Sequence, residues 1–560
     1  MSTTDDQASP TEHKLKRHVG PIGLLFAGIG SIIGSGWLFG AFNASVIAGP
    51  AGIFSWLVAG LMIMLIGLCY AELGPMFPIS GGVVRYPHLV WGSFGSYSLG
   101  FITWISSAAV PAIEVEGALT YATAYGPFTT PHTVNGDKVY TLTGVGLVVA
   151  IILMAIFVVI NYYGVRLFAQ INNVLVWWKL AIIILVIVVF LVTAFATTTM
   201  GSPANFTSRG FAPAGPAAIF TAISTAGITF SYLGFRQGIE LAGETSNPKR
   251  NIPLAIIGSV GITAIIYALL QVAFTMAVPE DLLAQSGSWA NLSFADDFGP
   301  LAALSTLAGL TWLAYLLYAD AIISPADTGL VYTTIASRVS YAMGRNGNSP
   351  RWLAKNNKRG VPYWSLVVTF VVGLILFLPF PSWQQLVGFI TSATVISFGS
   401  GPLVMATMRR EMPDRERPFR LPFGDAIPLL AFYSANMIVY WGGWTTNAKL
   451  FITIALGYIL LVIFQFVGDR KRKPPLDFRA GAIWVIPWFA LMALVSWLFD
   501  PKSRPDMFGW MFLINAVISV VIFYLALYAA LPVYKVKHYI AEAEHESEEE
   551  EEVLAGGHVG

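Results

Sequence analysis

Apolar runs of about 20 residues recur along the chain from Pro21 to Leu531 and are separated by short polar segments. A run of this length crosses the hydrocarbon core of a bilayer as a helix, because each helical residue adds about 1.5 Å. The pattern therefore predicts an all-α polytopic membrane protein with fourteen spans. The predicted spans cover residues 21–48, 52–76, 96–125, 142–163, 168–197, 214–240, 252–277, 303–336, 363–380, 385–407, 425–446, 448–468, 481–499 and 508–532.

Composition agrees with membrane insertion and excludes several functional classes. Of the 560 residues, 56% are hydrophobic and only 11% are charged, against about 25% charged in a soluble domain. The net charge of +1 gives no sign of a nucleic-acid partner. No phosphate-binding loop of the GxxxxGK[ST] type occurs in the sequence. Cys69 is the single cysteine, which excludes an intramolecular disulfide. The seven histidines lack the spacing of metal ligands. We expect neither an enzyme nor a bound metal or cofactor.

The distribution of basic residues predicts the orientation of the chain. With fourteen spans, 25 of the 32 lysines and arginines fall in connections on one side, five fall on the other, and Lys179 and Arg236 lie inside spans. Because cytoplasmic connections carry the positive excess, both termini are predicted to be cytoplasmic in a plasma or inner membrane. We expect a tail over 1–20, a core of ten helices over 21–407, additional helices over 425–532 and an acidic tail over 533–560. Eight glutamates between 542 and 552 predict that this stretch of the tail is disordered.

Two predicted spans contain glycines and small polar residues near their middle, where such residues weaken a helix. The first reads GLLFAGIGSIIGSGWLFG from Gly23, and the sixth reads AISTAGITFSYLGF from Ala222. Close packing of neighbouring helices is one explanation for such glycines. Two breaks five spans apart are also typical of inverted repeats that each begin with a discontinuous helix. The freed amides at Gly34, Ser35 and Gly36 would suit a carboxylate and nearby carbonyls an ammonium group, so the pattern favours a zwitterionic ligand.

Residues from about 18 to 425 resemble the amino acid-polyamine-organocation transporters. The matching stretches are GIGSIIGSGWLFG from Gly28, YAELGPMFPISGG from Tyr70, GFRQGIELAGETSNPKRNIPLAI from Gly234, SRVSYAMGRNG from Ser337 and RPFRLP from Arg417. The resemblance implies a LeuT-like fold of five-plus-five inverted repeats, with alternating access around an amino acid held between the first and sixth helices. The substrate-binding residues that it implies are Ile32, Gly34, Ser35, Gly36, Phe230, Ser231, Tyr232, Leu233 and Gly234. Among them, the amides of the first helix would hold the carboxylate and the carbonyls of Ile32, Phe230 and Leu233 the amino group.

Lys179 stands several turns from either end of the fifth span. An ionisable group at this depth costs about 2.5–3.5 kcal/mol on insertion scales, so it needs a partner or a function. Snorkelling to an interface is one explanation. In proton-coupled relatives, a lysine at the matching place takes the position of a sodium ion beside the first helix. The resemblance therefore implies that Lys179 couples transport to protons.

Acidic residues within the spans are candidate partners of Lys179. Asp320, Ser324 and Asp327 are spaced i, i+4 and i+7 and share a helix face in the eighth span. Glu114 and Glu116 in the third span are two residues apart, so at most one faces the same cavity. Either aspartate could relay a proton or pair with Lys179, and Asp320 is favoured, because a structural ion pair or a water-filled vestibule also explains Asp327. We expect proton coupling at these four carboxylates. Glu72 and Glu240 or Glu244 are predicted to be structural, near Arg85, Lys249 or Arg250.

Arg236 departs from the family pattern, which has an acidic residue at this place in the sixth helix. Its guanidinium matches a carboxylate, so it is a candidate for binding the side chain of an acidic substrate. Internal pairing with Glu240 or with a third-span glutamate is the alternative. The pattern most resembles the aspartate–proton symporter branch.

We therefore expect a proton-driven symporter for an acidic amino acid such as aspartate or glutamate. The four acids Glu114, Glu116, Asp320 and Asp327 leave open a neutral or cationic amino-acid or polyamine exchanger. A transporter-like sensor or a channel is an alternative of another class, and sodium instead of protons is a further one. The sequence does not indicate the oligomeric state.

Overall fold

Twenty α-helices and one β-hairpin form the described part of the chain. The structure is a computed structural model and describes residues 19–79, 81–134, 137–163, 165–196, 201–295, 298–357, 360–380, 382–467 and 475–556. The first ten helices are α1 Pro21–Ile32, α2 Gly36–Ala48, α3 Gly52–Met76, α4 Gly82–Ala122, α5 Gly144–Tyr163, α6 Val165–Ala196, α7 Pro216–Thr225, α8 Gln237–Glu240, α9 Pro248–Ala277 and α10 Glu280–Ser286. The others are α11 Pro300–Leu307, α12 Thr311–Arg345, α13 Tyr363–Leu376, α14 Trp383–Phe398, α15 Ser400–Glu411, α16 Ala426–Trp441, α17 Trp444–Phe466, α18 Phe478–Leu498, α19 Phe508–Tyr528 and α20 Val533–Gly556.

The helices have the length and composition of a polytopic membrane protein. Among the described residues, nine helical stretches are long and apolar enough to cross a bilayer, or ten if the bent pair around Ala226–Thr229 is one span. Helices α1, α13 and α16 are apolar but shorter. Helix α4 and the α14–α15 pair are almost completely buried, whereas less than a third of α5 and of α17 is buried. The exposed apolar side chains of the outer helices suit contact with lipid.

Both predicted helix breaks are present. Helix α1 ends at Ile32, Ile33 leaves the helical region with φ −86° and ψ 88°, and α2 begins at Gly36. Helix α7 ends at Thr225, and the stretch Phe230–Glu240, which begins with the 3₁₀ segment Phe230–Arg236, follows at an angle of 53°. Gly227 between them has a φ of 86°, a left-handed conformation that glycine adopts without strain.

The described structure is helical as expected, and one connection adds a short β-hairpin that the sequence analysis did not predict. Residues Thr129–Val134 and Asp137–Leu142 form an antiparallel β-hairpin, β1 and β2, between α4 and α5. Two alternating segments separated by Asn135-Gly136 are typical of a two-residue hairpin turn. Thr141 also pairs with Ser382 at the start of α14. We call the end of the bundle that carries this hairpin the hairpin end.

The prediction of disorder from Glu542 to Glu552 is wrong, because α20 covers Val533–Gly556. Its first half is amphipathic, and the apolar face that it buries consists of Val536, Tyr539, Ile540 and Ala543. This spacing of i, i+3, i+4 and i+7 is typical of a helix docked along one face, and it outweighs the glutamates that follow. We call this end of the bundle the α20 end. Residues 1–18, 557–560 and the basic DRKRK segment from Asp469 lie outside the described residues.

Helix α20 is held against a bend in α4. Gly92 has a φ of 67° and a ψ of −160° inside α4, where a side chain would collide with Asp477. Asp477 accepts hydrogen bonds from Lys535 Nζ at 2.8 Å and from the Tyr539 hydroxyl at 2.7 Å. The bend in α4, the start of α18 and the last helix are thus joined through one carboxylate.

Candidate functional site

The two helix breaks meet in the middle of the bundle. A Cβ at Gly234 would collide with the backbone of Ser31 and Ile32, and a Cβ at Gly36 would collide with the Ser231 hydroxyl. Only glycine permits these approaches, so the glycines of the first and sixth predicted spans are needed for contact between the breaks. The two breaks are thus in direct contact, and that they form one substrate site stays a prediction.

Within the first break, the backbone N–H of Ser35 is already paired. Glu114 on α4 accepts it with Oε2 at 2.7 Å, and both residues are fully buried. The other carboxylate oxygen, Oε1, faces Gly34 and has no hydrogen-bond partner among the described residues. The protein thus places its own carboxylate at the amide predicted for a substrate carboxylate.

Lys179 lies at the end of the first half of the broken helix. Its Nζ donates to the Gly30 carbonyl at 2.8 Å and to Thr328 Oγ1 at 3.1 Å, and it lies 2.7 Å from Asp327 Oδ2. The Lys179 and Asp327 side chains are both 0% exposed. The ammonium therefore does not snorkel to an interface; it links α6 and α12 to the end of α1.

Asp320 lies on α12 seven residues before Asp327, which is about two helical turns. Its Oδ1 accepts from the Trp178 indole at 2.9 Å and from the Ser324 hydroxyl at 2.7 Å. Its Oδ2 is buried and has no hydrogen-bond partner in the described part of the chain. Asp327 therefore pairs with Lys179, whereas Asp320 is held by neutral donors.

Glu116 is 1% exposed, and neither of its carboxylate oxygens has a hydrogen-bond partner among the residues described. Glu114, two residues earlier, is directed at the first break. The two glutamates of α4 thus differ in their surroundings, as their spacing predicts.

Arg236 is paired inside the protein. Its Nη1 donates to the Ser107 hydroxyl at 3.0 Å, its Nη2 lies 3.1 Å from Glu240 Oε1, and its guanidinium lies 5.7 Å from the Phe398 ring centre. Its Nε is buried and makes no hydrogen bond to the described residues. The internal pair with Glu240, which the sequence allows as an alternative, is the arrangement observed.

Several other groups predicted for the substrate also have protein partners. The Ile32 carbonyl accepts from the Tyr267 hydroxyl at 3.3 Å, and the Ser231 hydroxyl donates to the Gly227 carbonyl at 2.8 Å. The Tyr232 hydroxyl donates to the Trp56 carbonyl at 3.1 Å, so it points to α3. Phe230 contacts the break directly, because its ring edge lies 3.2 Å from where a Gly36 Cβ would be.

Sequence reasoning missed two residues of the site. Thr328, next to Asp327, has its hydroxyl within hydrogen-bond distance of two carbonyls where α1 ends, Gly30 at 3.4 Å and Ile33 at 3.3 Å. Trp383, the first residue of α14, donates its indole N–H to Ser35 Oγ at 2.8 Å. A hydroxyl beside a membrane carboxylate was a readable signal for Thr328, whereas the sequence gives no signal for Trp383.

The predicted partners of Glu72 are wrong. Its carboxylate binds Arg409 at 2.9 and 2.6 Å and accepts the Leu421 N–H at 2.8 Å. Arg409 projects from the end of α15, where the chain after the predicted core folds back onto α3. Glu240 pairs with Arg236, and the side chain of Glu244 lies outside the described residues.

Comparisons with known proteins identify relatives over nearly the full chain. The sequence model of a family described as "Amino acid permease" matches residues 19–543. The chain is 35% identical over 522 residues to the "Glutamate/serine transporter AimA" of Bacillus subtilis, covering 92% of this chain and 94% of the relative. It is 34% identical over 517 residues to the "Aspartate-proton symporter" of the same organism, covering 91% and 96%. A "Branched-chain amino acid permease BcaP" of that organism is 27% identical over 487 residues, covering 83% and 96%.

Proposed function

We propose that this chain, which belongs to the amino acid permease family, is a proton-coupled symporter of an acidic amino acid. The protein is an integral membrane protein of amino-acid transport. Two relatives at 34–35% identity are named for aspartate with a proton and for glutamate or serine. These names support aspartate or glutamate as the substrate. The relatives are transporters and not enzymes.

The observation that carries proton coupling is the position of Lys179. Its ammonium contacts a carbonyl at the end of α1 and the Asp327 carboxylate, and the pair is closed off from solvent. When Lys179 releases its proton, it loses its positive charge and keeps only weaker hydrogen bonds to these groups, so α1 can separate from α6 and α12. Moving one proton at this place thus changes how the broken helix is held. Asp320, Asp327, Glu114 and Glu116 are the carboxylates through which the proton would reach or leave it.

The substrate carboxylate would take the place of the Glu114 carboxylate. Two carboxylates cannot share the Ser35 amide, because like charges at this distance repel each other. Protonated Glu114 would release the amide, and the substrate carboxylate would then bind the N–H groups of Gly34, Ser35 and Gly36. Binding of an anionic substrate and uptake of a proton would thereby be linked.

The remaining site residues follow the same scheme. The substrate ammonium would bind the carbonyls of Ile32, Phe230 and Leu233, while Ser231, Tyr232 and Gly234 would shape the pocket. The unpartnered Nε of Arg236 supports a contact with the substrate side chain, because Nη2 is already bound to Glu240.

The proposed architecture is the LeuT-like fold with alternating access. Residues 21–407 would form the inverted repeats, 425–532 four additional helices, and the whole chain fourteen spans. The N- and C-termini would face the cytoplasm of a plasma or inner membrane, as the basic residues favour.

A neutral or cationic substrate is the second candidate, and the surroundings of Glu116 favour a cationic one. Both of its buried oxygens lack a partner in the described structure, and a cationic side chain would satisfy them. Exchange, sensing or channel activity would leave the same residues in place without gradient-driven accumulation.

Uptake of labelled aspartate into proteoliposomes, with and without an inward proton gradient, tests the proposal. We expect accumulation above equilibrium that requires the gradient, resists excess leucine and arginine, and is lost in Lys179→Ala. Gradient-independent uptake would indicate exchange or a channel. Strong competition by leucine or arginine would instead indicate a neutral or cationic substrate.

A further inference from the structure

Trp383 connects the first break to the hairpin end of the bundle. It is the first residue of α14, it is 1% exposed, and its indole N–H donates to the Ser35 hydroxyl at 2.8 Å. Ser35 is therefore held twice, by Glu114 at its backbone and by Trp383 at its side chain. The second contact is separate from the carboxylate chemistry proposed above.

The indole fills the space between both breaks. Its centre lies 4.6 Å from the Phe39 ring on α2 and 6.4 Å from the Phe230 ring, which meets it edge-on. Two glycines make room for it: a Cβ at Gly227 would lie 2.7 Å from Trp383 Cη2, and a Cβ at Gly117 would lie 3.2 Å from Cδ1. A single side chain thus covers residues of α2, α4 and the 3₁₀ segment at once.

The position of Trp383 in the chain shows which end of the site it covers. The preceding residue, Ser382, pairs with Thr141 of the hairpin. Arg236 and its partner Glu240 lie farther along the sixth-helix segment, after Phe230, next to Phe398 at the other end of α14. Trp383 therefore lies between Ser35 and the hairpin end.

We propose that Trp383 is the lid that closes the site toward the hairpin end, and that it releases the Ser35 hydroxyl when the site opens there. The inference rests on the proposed function in one respect, namely that the two breaks form a site to which solutes gain access. The indole blocks that access by its volume, and its hydrogen bond sets the position in which it rests. Opening requires α14 or the hairpin to carry the ring away from Phe39 and Phe230.

Side-specific thiol labelling tests the lid without any substrate. Cys69 is the only cysteine and is buried, so a Cys69→Ala background with Ser231→Cys provides one reporter inside the site. A membrane-impermeant methanethiosulfonate reagent is applied to intact cells and to inside-out vesicles. Thr130→Cys, at an exposed position of β1, shows in a parallel sample which preparation presents the hairpin end.

We expect Trp383→Ala to speed labelling of the reporter from the hairpin end by at least about tenfold and to leave labelling from the α20 end unchanged. Trp383→Phe should give a smaller increase, because a phenyl ring still fills most of the space but cannot bond to Ser35. The matched control is Trp312→Ala, which also removes an indole but does so outside the site. Trp312 is 49% exposed at the start of α12.

An unchanged labelling rate in Trp383→Ala, with the protein still monodisperse by size-exclusion chromatography, would overturn the lid. An equal increase from both ends would also overturn it, because that result indicates general loosening. If Trp383→Ala does not fold, Trp383→Phe decides by the same side-specific criterion. Aspartate uptake by the unaltered protein is measured in parallel, so absence of uptake would count against the proposed function while the labelling result still decides the lid.

Discussion

Glu114 Oε2 accepts the backbone N–H of Ser35 at 2.7 Å, across 79 positions of sequence. This contact places a negative charge of the protein at the amide that suits a substrate carboxylate. Its partner oxygen Oε1 has no hydrogen bond to the described residues, so the carboxylate is held on one side only. A group held in this way is well placed to exchange with a ligand.

Glu114→Gln tests that exchange. The amide oxygen of glutamine can still accept the Ser35 N–H, but a bond to a charged acceptor is roughly twice as strong. A substrate carboxylate should therefore displace glutamine more easily, and the KM for aspartate should fall a few-fold when uptake is measured without a proton gradient. Glu280→Gln, at the exposed first position of α10, is the matched control and should leave this KM unchanged. A KM that is raised in Glu114→Gln would mean that the glutamate helps to bind the substrate instead of competing with it.

Lys179→Met should destabilise the protein as well as uncouple it. The substitution leaves the Asp327 carboxylate buried without its ion-pair partner, which costs about 3–5 kcal/mol in comparable buried pairs. Thermal unfolding in detergent should show this loss, and Lys179→Met with Asp327→Asn should recover most of it. Gradient-driven aspartate uptake should stay absent in the double variant. Recovery of uptake together with stability would show that the pair is structural only.

Substitutions at Arg236 and Glu240 can separate the contribution of Arg236 to stability from its contribution to substrate specificity. Arg236→Gln leaves a buried glutamate unpaired and should lower the free energy of unfolding by about 3–5 kcal/mol. Arg236→Gln with Glu240→Gln removes both charges and should be close to the unaltered protein in stability. In competition uptake, this double variant should lose its preference for aspartate over serine. An unchanged preference would assign Arg236 to the structural pair alone.

Asp477→Ala should release α20. It removes the acceptor of both Lys535 and Tyr539, so limited proteolysis of the folded protein should cut within α20 several-fold faster, as followed by mass spectrometry. Asp506→Ala is the control, because its ion pair with Arg504 is exposed on both sides and such pairs contribute little. Equal cleavage of α20 in both variants would show that its apolar face alone holds it.

Much of the helical pattern could be predicted from the sequence, because in a bilayer the apolar run length determines where a helix can lie. The breaks near Gly34 and Gly227 were also predictable, since glycine and small polar residues inside a long apolar run weaken the helix locally. The first half of α20 was missed because the count of glutamates concealed the spacing from Val536 to Ala543. The hairpin had a readable signal in Asn135-Gly136 that the helical pattern overshadowed.

The sequence predicted which residues belong to the site better than it predicted which residues they contact. Lys179, Asp320 and Asp327 stood out because a charge inside a span needs compensation, but the sequence favoured Asp320, and the residue that pairs with Lys179 is Asp327. Nothing in the sequence relates Ser35 to Glu114 or to Trp383, because those contacts depend on how distant helices pack. Periodicity reports which face of its own helix a residue occupies and does not report the residue that it meets.

The docking of α20 also bears on how the chain is made. The Arg85 guanidinium donates to the Ala543 carbonyl across 458 positions, and His88 packs on Tyr539 with ring centres 4.6 Å apart. At about 5–20 residues per second, a ribosome needs roughly 25–90 s to go from the first of these residues to the last. During that interval the start of α4 has no α20 to cover it. A chain that ends before Val533 therefore exposes a surface of α4, including Arg85 and His88, that α20 covers in the finished protein. This difference distinguishes incomplete chains from complete ones.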